Sequence, residues 1–159
     1  MKPVNVLFLC TGNSARSILA EAILNRRGWA RGFVAFSAGS KPAGQPHPTG
    51  LVELARRGHR IDLAHSKSWD AFGDGPPMDI VVTVCDAAAA ESCPVWPRKD
   101  GAAPVTVHWP APDPAHIEDA AKRERAFAQV YDLMSRRIDG LLALPDENLR
   151  DREALQALA

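Results

Sequence analysis

The sequence predicts a single α/β domain built on a parallel sheet with helices on both faces. Three observations carry that expectation. Short apolar runs, partly β-branched, alternate with segments whose apolar residues recur at helical spacing. The two best runs are each followed directly by a cysteine, as fits strand ends that open on the ligand-binding edge of a parallel sheet. The 159 residues, 46% of them hydrophobic, suffice for one core without covalent staples.

The first run, Val4-Asn5-Val6-Leu7-Phe8-Leu9, suits a strand buried on both faces. A helix opening at Ser17 follows, with Ile18, Leu19, Ala22 and Ile23 as its apolar stripe and Glu21 in its early turns. Asn25-Arg26-Arg27-Gly28 ends it, with basic residues and a glycine where a helix C-terminus favours them. Phe33 to Gly39 reads as the second strand. Pro48 is placed to start a helix over Thr49 to Arg57, with Leu51, Leu54 and Ala55 on its apolar face, and Gly58 stops it. Ile61 to Ser68 is irregular, and the glycines and prolines of Trp69 to Pro77 leave room for at most a short helix. Met78 to Val84 is the clearest strand and Val105 to His108 a shorter one. Asp119 to Leu142 is a long amphipathic helix whose core face is drawn from Ala126, Phe127, Val130, Leu133, Met134, Ile138 and Leu141. Beyond a catalytic domain of residues 1–144, residues 145–159 form a charged C-terminal extension with room for a short helix.

Lysine plus arginine and aspartate plus glutamate both number 19, so the net charge is zero and nothing advertises nucleic acid or an anionic membrane as partner. Met1-Lys2-Pro3 runs straight into the first strand, and no apolar stretch is long enough to span a bilayer. The expectation is a cytoplasmic protein, whose thiols stay reduced and are more often catalytic than structural. The five histidines show no zinc-ligand spacing. His47, His59, His65 and His116 read as surface residues, and His108 as a strand residue near the active edge. The tryptophans read as core or rim, with Trp96 and Trp109 as candidates to line the pocket.

Cys10-Thr11-Gly12-Asn13-Ser14-Ala15-Arg16-Ser17 joins the first strand to the first helix. A loop so held turns its backbone N–H groups toward one point, where the helix dipole adds positive potential, and an oxyanion is the natural guest. Cys10 supplies a thiol whose anion is stabilised by the helix terminus and a guanidinium, so a nucleophile is at hand. Arg16 supplies a planar fork that matches two oxygens of a tetrahedral anion. Ser17 can donate its hydroxyl to the thiolate, Gly12 permits positive φ, and Asn13 tolerates left-handed geometry. An isolated cysteine is ordinarily a core residue, but Cys-x5-Arg-Ser at a strand-to-helix junction is a specific signal. The loop lacks the Gly-Lys-Ser/Thr ending of a nucleotide-binding loop.

Cys85 follows Val84 as Cys10 follows Leu9, so two thiols face one edge of the sheet. Cys93 lies eight residues further on, across Asp86-Ala87-Ala88-Ala89-Ala90-Glu91-Ser92. The alanines favour a helix, in which a separation of eight residues spans roughly 12 Å. A disulfide needs Cα atoms within about 7 Å. A Cys85–Cys93 bond therefore requires that helix to melt, which makes the segment a candidate redox switch. After the last strand, Trp109-Pro110-Ala111-Pro112-Asp113-Pro114 sets a carboxylate on a proline-stiffened loop near the same edge, where Asp113 is either a general acid or part of a simple turn.

The Cys10 loop resembles that of the low-molecular-weight phosphotyrosine phosphatase superfamily, and Cys-Thr-Gly-Asn-Ser-x-Arg-Ser is most similar to its thioredoxin-coupled arsenate reductase branch. The likeness covers nearly the whole chain up to the long helix. It implies a four-stranded sheet with flavodoxin-like winding. It also implies a reaction. Arsenate settles in the loop formed by Thr11, Gly12, Asn13, Ser14, Ala15, Arg16 and Ser17, with phosphate and sulfate as competing anions. Cys10 attacks arsenic, Asp113 protonates the departing oxygen, and Arg16 holds the remaining charge. Cys85 then attacks the Cys10 sulfur and arsenite leaves. Cys93 attacks Cys85, passing the oxidation to a bond that an external dithiol reduces. Thioredoxin is the implied reductant, with glutaredoxin and glutathione or mycothiol as alternatives.

The chain departs from that branch in two places. The Cys85 to Cys93 spacing is one residue longer than in its members, with alanines nearly throughout. Several relatives also bind a monovalent cation through positions matching Asn13, Glu21 and Ser37. Here the fourth position falls near Ser68, and Lys67 can replace the cation's charge, so no metal or other cofactor is expected. Two rival functions use the same loop. A phosphotyrosine phosphatase employs Cys10, Arg16 and Asp113 alike, but needs neither Cys85 nor Cys93 and grips its phenol ring with aromatic side chains. Tyr131, the single tyrosine, lies in the long helix. An anion- or thiol-sensing binding module needs no general acid.

Overall fold

The computed structural model describes residues 3–86, 88 and 101–159. Four strands, β1 (Val4–Leu9), β2 (Phe33–Ala38), β3 (Ile80–Thr83) and β4 (Val105–His108), pair in parallel in the order β2-β1-β3-β4. The helices are α1 (Arg16–Arg27), α2 (Pro48–Arg56), α3 (Ala120–Ala143) and the short α4 (Arg152–Gln156). The chain leaves β1 toward β2 and then crosses back to β3, so the strand order reverses between β1 and β3. At such a reversal the loops diverge and open a crevice at the carboxyl ends of the strands. Cys10 follows β1 there, and Cys85 lies two residues beyond β3.

Side-chain alternation along the strands divides the core in two. Val6, Phe8, Ile80, Val82 and Val107 share the larger cluster with Ile18, Ile23 and Leu24 of α1, Leu54 of α2, and Phe127, Met134 and Ile138 of α3. Leu7, Leu9, Ala38 and Val81 belong to the second cluster, which Phe72 and Trp69 of the 3-10 turn Trp69–Phe72 join from outside the sheet. Among the described residues the two faces are thus covered unequally, by long helices on one side and by the turn Trp69–Phe72 on the other. Among the described residues no helix is long and apolar enough to cross a membrane.

β4 keeps its predicted bounds, most other elements lie within a residue of theirs, and the larger departures have local causes. β3 starts at Ile80 and not at Met78, because the Asp79 carboxylate accepts the Asn5 N–H (2.8 Å) and Asn5 Nδ2 donates to the Pro77 carbonyl (2.8 Å). A side chain there takes the β1 donor that a ladder carbonyl would use. α2 starts at Pro48, with His47 as its cap: Nδ1 accepts the Thr49 N–H at 3.1 Å and the ring packs on Phe127 at 5.0 Å. His47 is therefore half-buried, not a surface residue. His59 departs from expectation in the same way. Its Nε2 lies 2.6 Å from the Tyr131 hydroxyl, and burial with the nearby Arg26 and Arg27 pushes the imidazole down to about 4. Residues 145–159 include α4, whose Leu155 is fully buried beneath β4 in the larger cluster.

The tryptophans also sort differently. Trp109 lines no pocket: it is fully buried, 6.3 Å from the Phe8 ring, with its indole N–H donating to the Leu155 carbonyl (3.0 Å). Trp29 is 76% exposed, neither core nor pocket rim.

Candidate active site

The loop after β1 is fastened through its carbonyls. Thr11, Gly12 and Ser14 accept the backbone N–H groups of Lys41 (3.0 Å), Ala43 (2.8 Å) and His47 (2.8 Å), while the Cys10 N–H donates to Ala38 (3.2 Å). The segment after β2 comes this close because residue 39 is glycine. A Cβ there would stand 2.3 Å from the Thr11 oxygen and 2.8 Å from the Cys10 oxygen. With the carbonyls so occupied, the N–H groups of Gly12, Ser14, Ala15, Arg16 and Ser17 have no acceptor among the described residues. They sit at the amino end of α1, where partial positive charge accumulates.

The one left-handed residue of the loop is Asn13, at φ 44°, a geometry its residue type tolerates; Gly12, though free to, does not adopt positive φ. Asn13 orders the nucleophile. Its own N–H donates to Cys10 Sγ (3.2 Å), its Oδ1 accepts the Lys67 N–H (2.8 Å), and its Nδ2 donates to Ser17 Oγ (2.9 Å). Because Ser17 accepts from that amide, its hydrogen is available to Cys10 Sγ, 3.0 Å away. Two donors therefore converge on the sulfur of a cysteine that is only 4% exposed.

Arg16 and Asp113 meet across the opening. Arg16 Nη1 donates to the Ala111 carbonyl (3.0 Å) and its Nη2 lies 3.6 Å from Asp113 Oδ2. Asp113 Oδ1 accepts the Ala115 N–H (2.9 Å), which fixes the carboxylate to its own turn. Cys10 to Gly12, Ser14 to Arg16, Asp113, Ala115 and His116 enclose about 240 Å³. No phenylalanine, tyrosine or tryptophan is among these lining residues. His116 is exposed, as a surface residue should be, but its Nε2 stands 3.6 Å from Asp113 Oδ2 at the cavity mouth. Sequence reasoning gave it no role; the available signal was its position three residues beyond Asp113.

Cys85 is 5% exposed, and its sulfur accepts the Ala88 N–H (3.3 Å) and lies 3.7 Å from Thr11 Oγ1. A residue of the Cys10 loop thus touches the second cysteine. Beside it, His108 Nε2 pairs with Asp86 Oδ1 (3.0 Å) while Nδ1 faces Thr83 Oγ1 (2.8 Å). Cys93 and Trp96 lie outside the described residues, as does most of the segment expected to be helical.

Beneath the loop, Lys67 Nζ donates to Ser37 Oγ (3.3 Å), Ser37 donates to Glu21 Oε1 (3.1 Å), and the ammonium stands 3.7 Å from Glu21 Oε2. Burial raises the Glu21 carboxyl above its ordinary range, with Lys67 the strongest opposing influence. Ser68 is engaged elsewhere, accepting the Asp70 N–H (3.1 Å). Among the described residues, no group of three or more histidines, cysteines and carboxylates could hold a metal ion.

Residues 5–154 match the family described as low molecular weight phosphotyrosine protein phosphatase. An arsenate reductase of Halalkalibacterium halodurans is 33% identical over 141 residues, which cover 84% of this chain and 91% of that protein. Among solved structures, the arsenate reductase from Archaeoglobus fulgidus superposes with a TM-score of 0.58 at 30% identity, over 84% of this chain and 98% of the other. A thioredoxin-dependent arsenate reductase from Corynebacterium glutamicum superposes with a TM-score of 0.51 at 27% identity, over 83% of this chain and 60% of the other.

Proposed function

Because the chain belongs to the low molecular weight phosphotyrosine protein phosphatase family, and its relative at 33% identity is an arsenate reductase, we propose that it reduces arsenate to arsenite with its own thiols. The observation that favours this over a phosphatase is the second cysteine at the neighbouring strand end, its sulfur 3.7 Å from the hydroxyl of Thr11. Ester hydrolysis needs no such thiol.

In this reading the five N–H groups without acceptors and the Arg16 guanidinium bind the oxyanion. The Cys10 thiolate, held by the Asn13 N–H and Ser17 hydroxyl, forms a sulfur–arsenic bond. One arsenic–oxygen bond breaks, and Asp113 gives that oxygen the proton with which it leaves as water. The Cys85 thiolate then attacks the Cys10 sulfur. The sulfur–arsenic electron pair stays on arsenic, which departs reduced by two electrons as arsenite, and a Cys10–Cys85 disulfide remains. Cys93 attacks Cys85 in turn and frees Cys10. The final reductant in this reading is thioredoxin, in keeping with the thioredoxin-dependent neighbour, and the setting is the cytoplasm. A binding module would have no use for a carboxylate held 3.6 Å from Arg16.

The test is arsenite formation by the full chain with thioredoxin and its reductase, with glutaredoxin and glutathione, and with a mycothiol system. Multiple turnover is expected with thioredoxin. Hydrolysis of aryl phosphates with no arsenite in any arm would overturn the proposal in favour of a phosphatase.

A further inference from the structure

The loop that carries Asp113 is poor in backbone donors. In Trp109-Pro110-Ala111-Pro112-Asp113-Pro114 every second residue is proline, so three of six N–H groups are missing. Two of the remaining three fasten the loop to the end of β3, Trp109 to the Thr83 carbonyl (2.8 Å) and Ala111 to that of Val84 (3.2 Å). The loop's own carbonyls need donors from elsewhere. Three in succession end on guanidinium groups. Arg137 Nη1 donates to Trp109 (3.0 Å), Arg137 Nη2 to Pro110 (2.8 Å), and Arg16 Nη1 to Ala111 (3.0 Å).

Arg137 lies on α3 and is 8% exposed. Those two carbonyls are its hydrogen-bond partners among the described residues, and its Nε is buried with none. A buried cation that faces only carbonyl dipoles carries a desolvation penalty that an apolar side chain of similar size avoids. Burial accordingly lowers its affinity for its proton, and the neighbouring Arg136 adds to the effect. Packing alone does not call for arginine here. Control of the loop does, because the bidentate fork fixes the root at residues 109 and 110 while Arg16 fixes residue 111 and faces the Asp113 carboxylate.

We infer that Arg137 is a positioning residue for the proton-transfer step: it clamps the loop root so that Asp113 stands over the cavity and Arg16 need not reorganise when the anion arrives. The inference rests on the acid role proposed above for Asp113.

The experiment is a double-mutant cycle in the full chain, with Arg137→Met and Arg137→Lys, each alone and combined with Asp113→Asn. It is read on arsenate reduction and on hydrolysis of phenyl phosphate and p-nitrophenyl phosphate. Arg137→Met is expected to lower kcat for arsenate by about tenfold or more with KM changed by less than about twofold. Arg137→Lys, which keeps the charge but not the fork, should fall between. Arg137→Met combined with Asp113→Asn should be no slower than Asp113→Asn alone. On the esters, the loss should be larger for phenyl phosphate, whose leaving oxygen needs the proton more. Losses that multiply in the double variant, or equal losses on the two esters, would overturn the inference and leave Arg137 a structural residue. If Arg137→Met does not fold, the Arg137→Lys cycle is read in the same way. A wild-type chain that hydrolyses the esters but makes no arsenite would overturn the arsenate reading, while the ester comparison still decides the role of Arg137.

Discussion

The loop after β1 and the loop after β4 face each other across one cavity, and their carbonyls are held by different donors. The first has three carbonyls that accept backbone N–H groups from residues 41, 43 and 47, while the N–H groups of Gly12, Ser14, Ala15, Arg16 and Ser17 have no acceptor among the described residues. The second, with three of its six N–H groups removed by proline, keeps two main-chain bonds to the end of β3 and has three successive carbonyls held by two guanidinium groups. A binding loop that works through N–H groups is best anchored through C=O, so its side chains are free to vary except where they touch sulfur. In the acid role proposed for Asp113, a loop whose carbonyls are anchored by side chains can be misplaced by a single substitution at a distance.

The largest expected effects break the first loop's chemistry. Cys10→Ser should abolish both arsenate reduction and aryl phosphate hydrolysis while the thermal midpoint stays near the wild-type value, because the nucleophile is lost and the fold is not. Cys85→Ser should abolish multiple-turnover arsenite formation yet spare slow ester hydrolysis; loss of both activities together would make Cys85 structural.

Next in size is the pair of glycines. Gly39→Ala forces a methyl to 2.3 Å from the Thr11 oxygen, and should cost about 1–3 kcal/mol in urea unfolding as well as most of the activity. Gly12→Ala meets only Ser14 Oγ at 3.7 Å and requires no positive φ, so stability should stay within about 0.5 kcal/mol of wild type. Equal destabilisation by the two would show that the main-chain anchoring is misread.

The smallest effect tests a region remote from both loops. His59 titrates at about 4 in the folded chain against 6.5 in the unfolded one. Between those values the unfolded chain holds one more proton, so stability should fall as pH falls from about 6.5 toward 4. His59→Gln should flatten that part of the profile of thermal midpoint against pH.

What was legible in the sequence was whatever is local. The strand, loop and helix around Cys10, the limits of β4, and the long helix read from Asp119 to Leu142 follow from neighbouring residues alone; the structure shifts that helix to Ala120–Ala143 and makes Asp119 its cap, accepting the Lys122 N–H at 2.9 Å. What was not legible depends on partners distant in the chain. Trp109, read as core or rim and as a candidate to line the pocket from its place beside the Asp113 loop, is drawn into the core by Phe8 and the Leu155 carbonyl. His47 and His59 looked exposed until Phe127 and Tyr131, some 80 and 72 residues away in the chain, met their rings. Gly39 carried no signal of its own, because the contact that excludes every other residue is made across the sheet to the Cys10 loop. Lys67, by contrast, reads through the family resemblance as replacing a cation's charge beside Asn13, Glu21 and Ser37, and its ammonium does meet Glu21 and Ser37.

The most direct test of the two-thiol account is a single turnover of the Cys93→Ser variant, mixed in reduced form with excess arsenate and no external reductant. The account predicts one arsenite per chain, followed by arrest, with peptide mass mapping that joins Cys10 to Cys85. Continued turnover by this variant with thioredoxin, or arsenite released while Cys10 and Cys85 both remain free thiols, would contradict it.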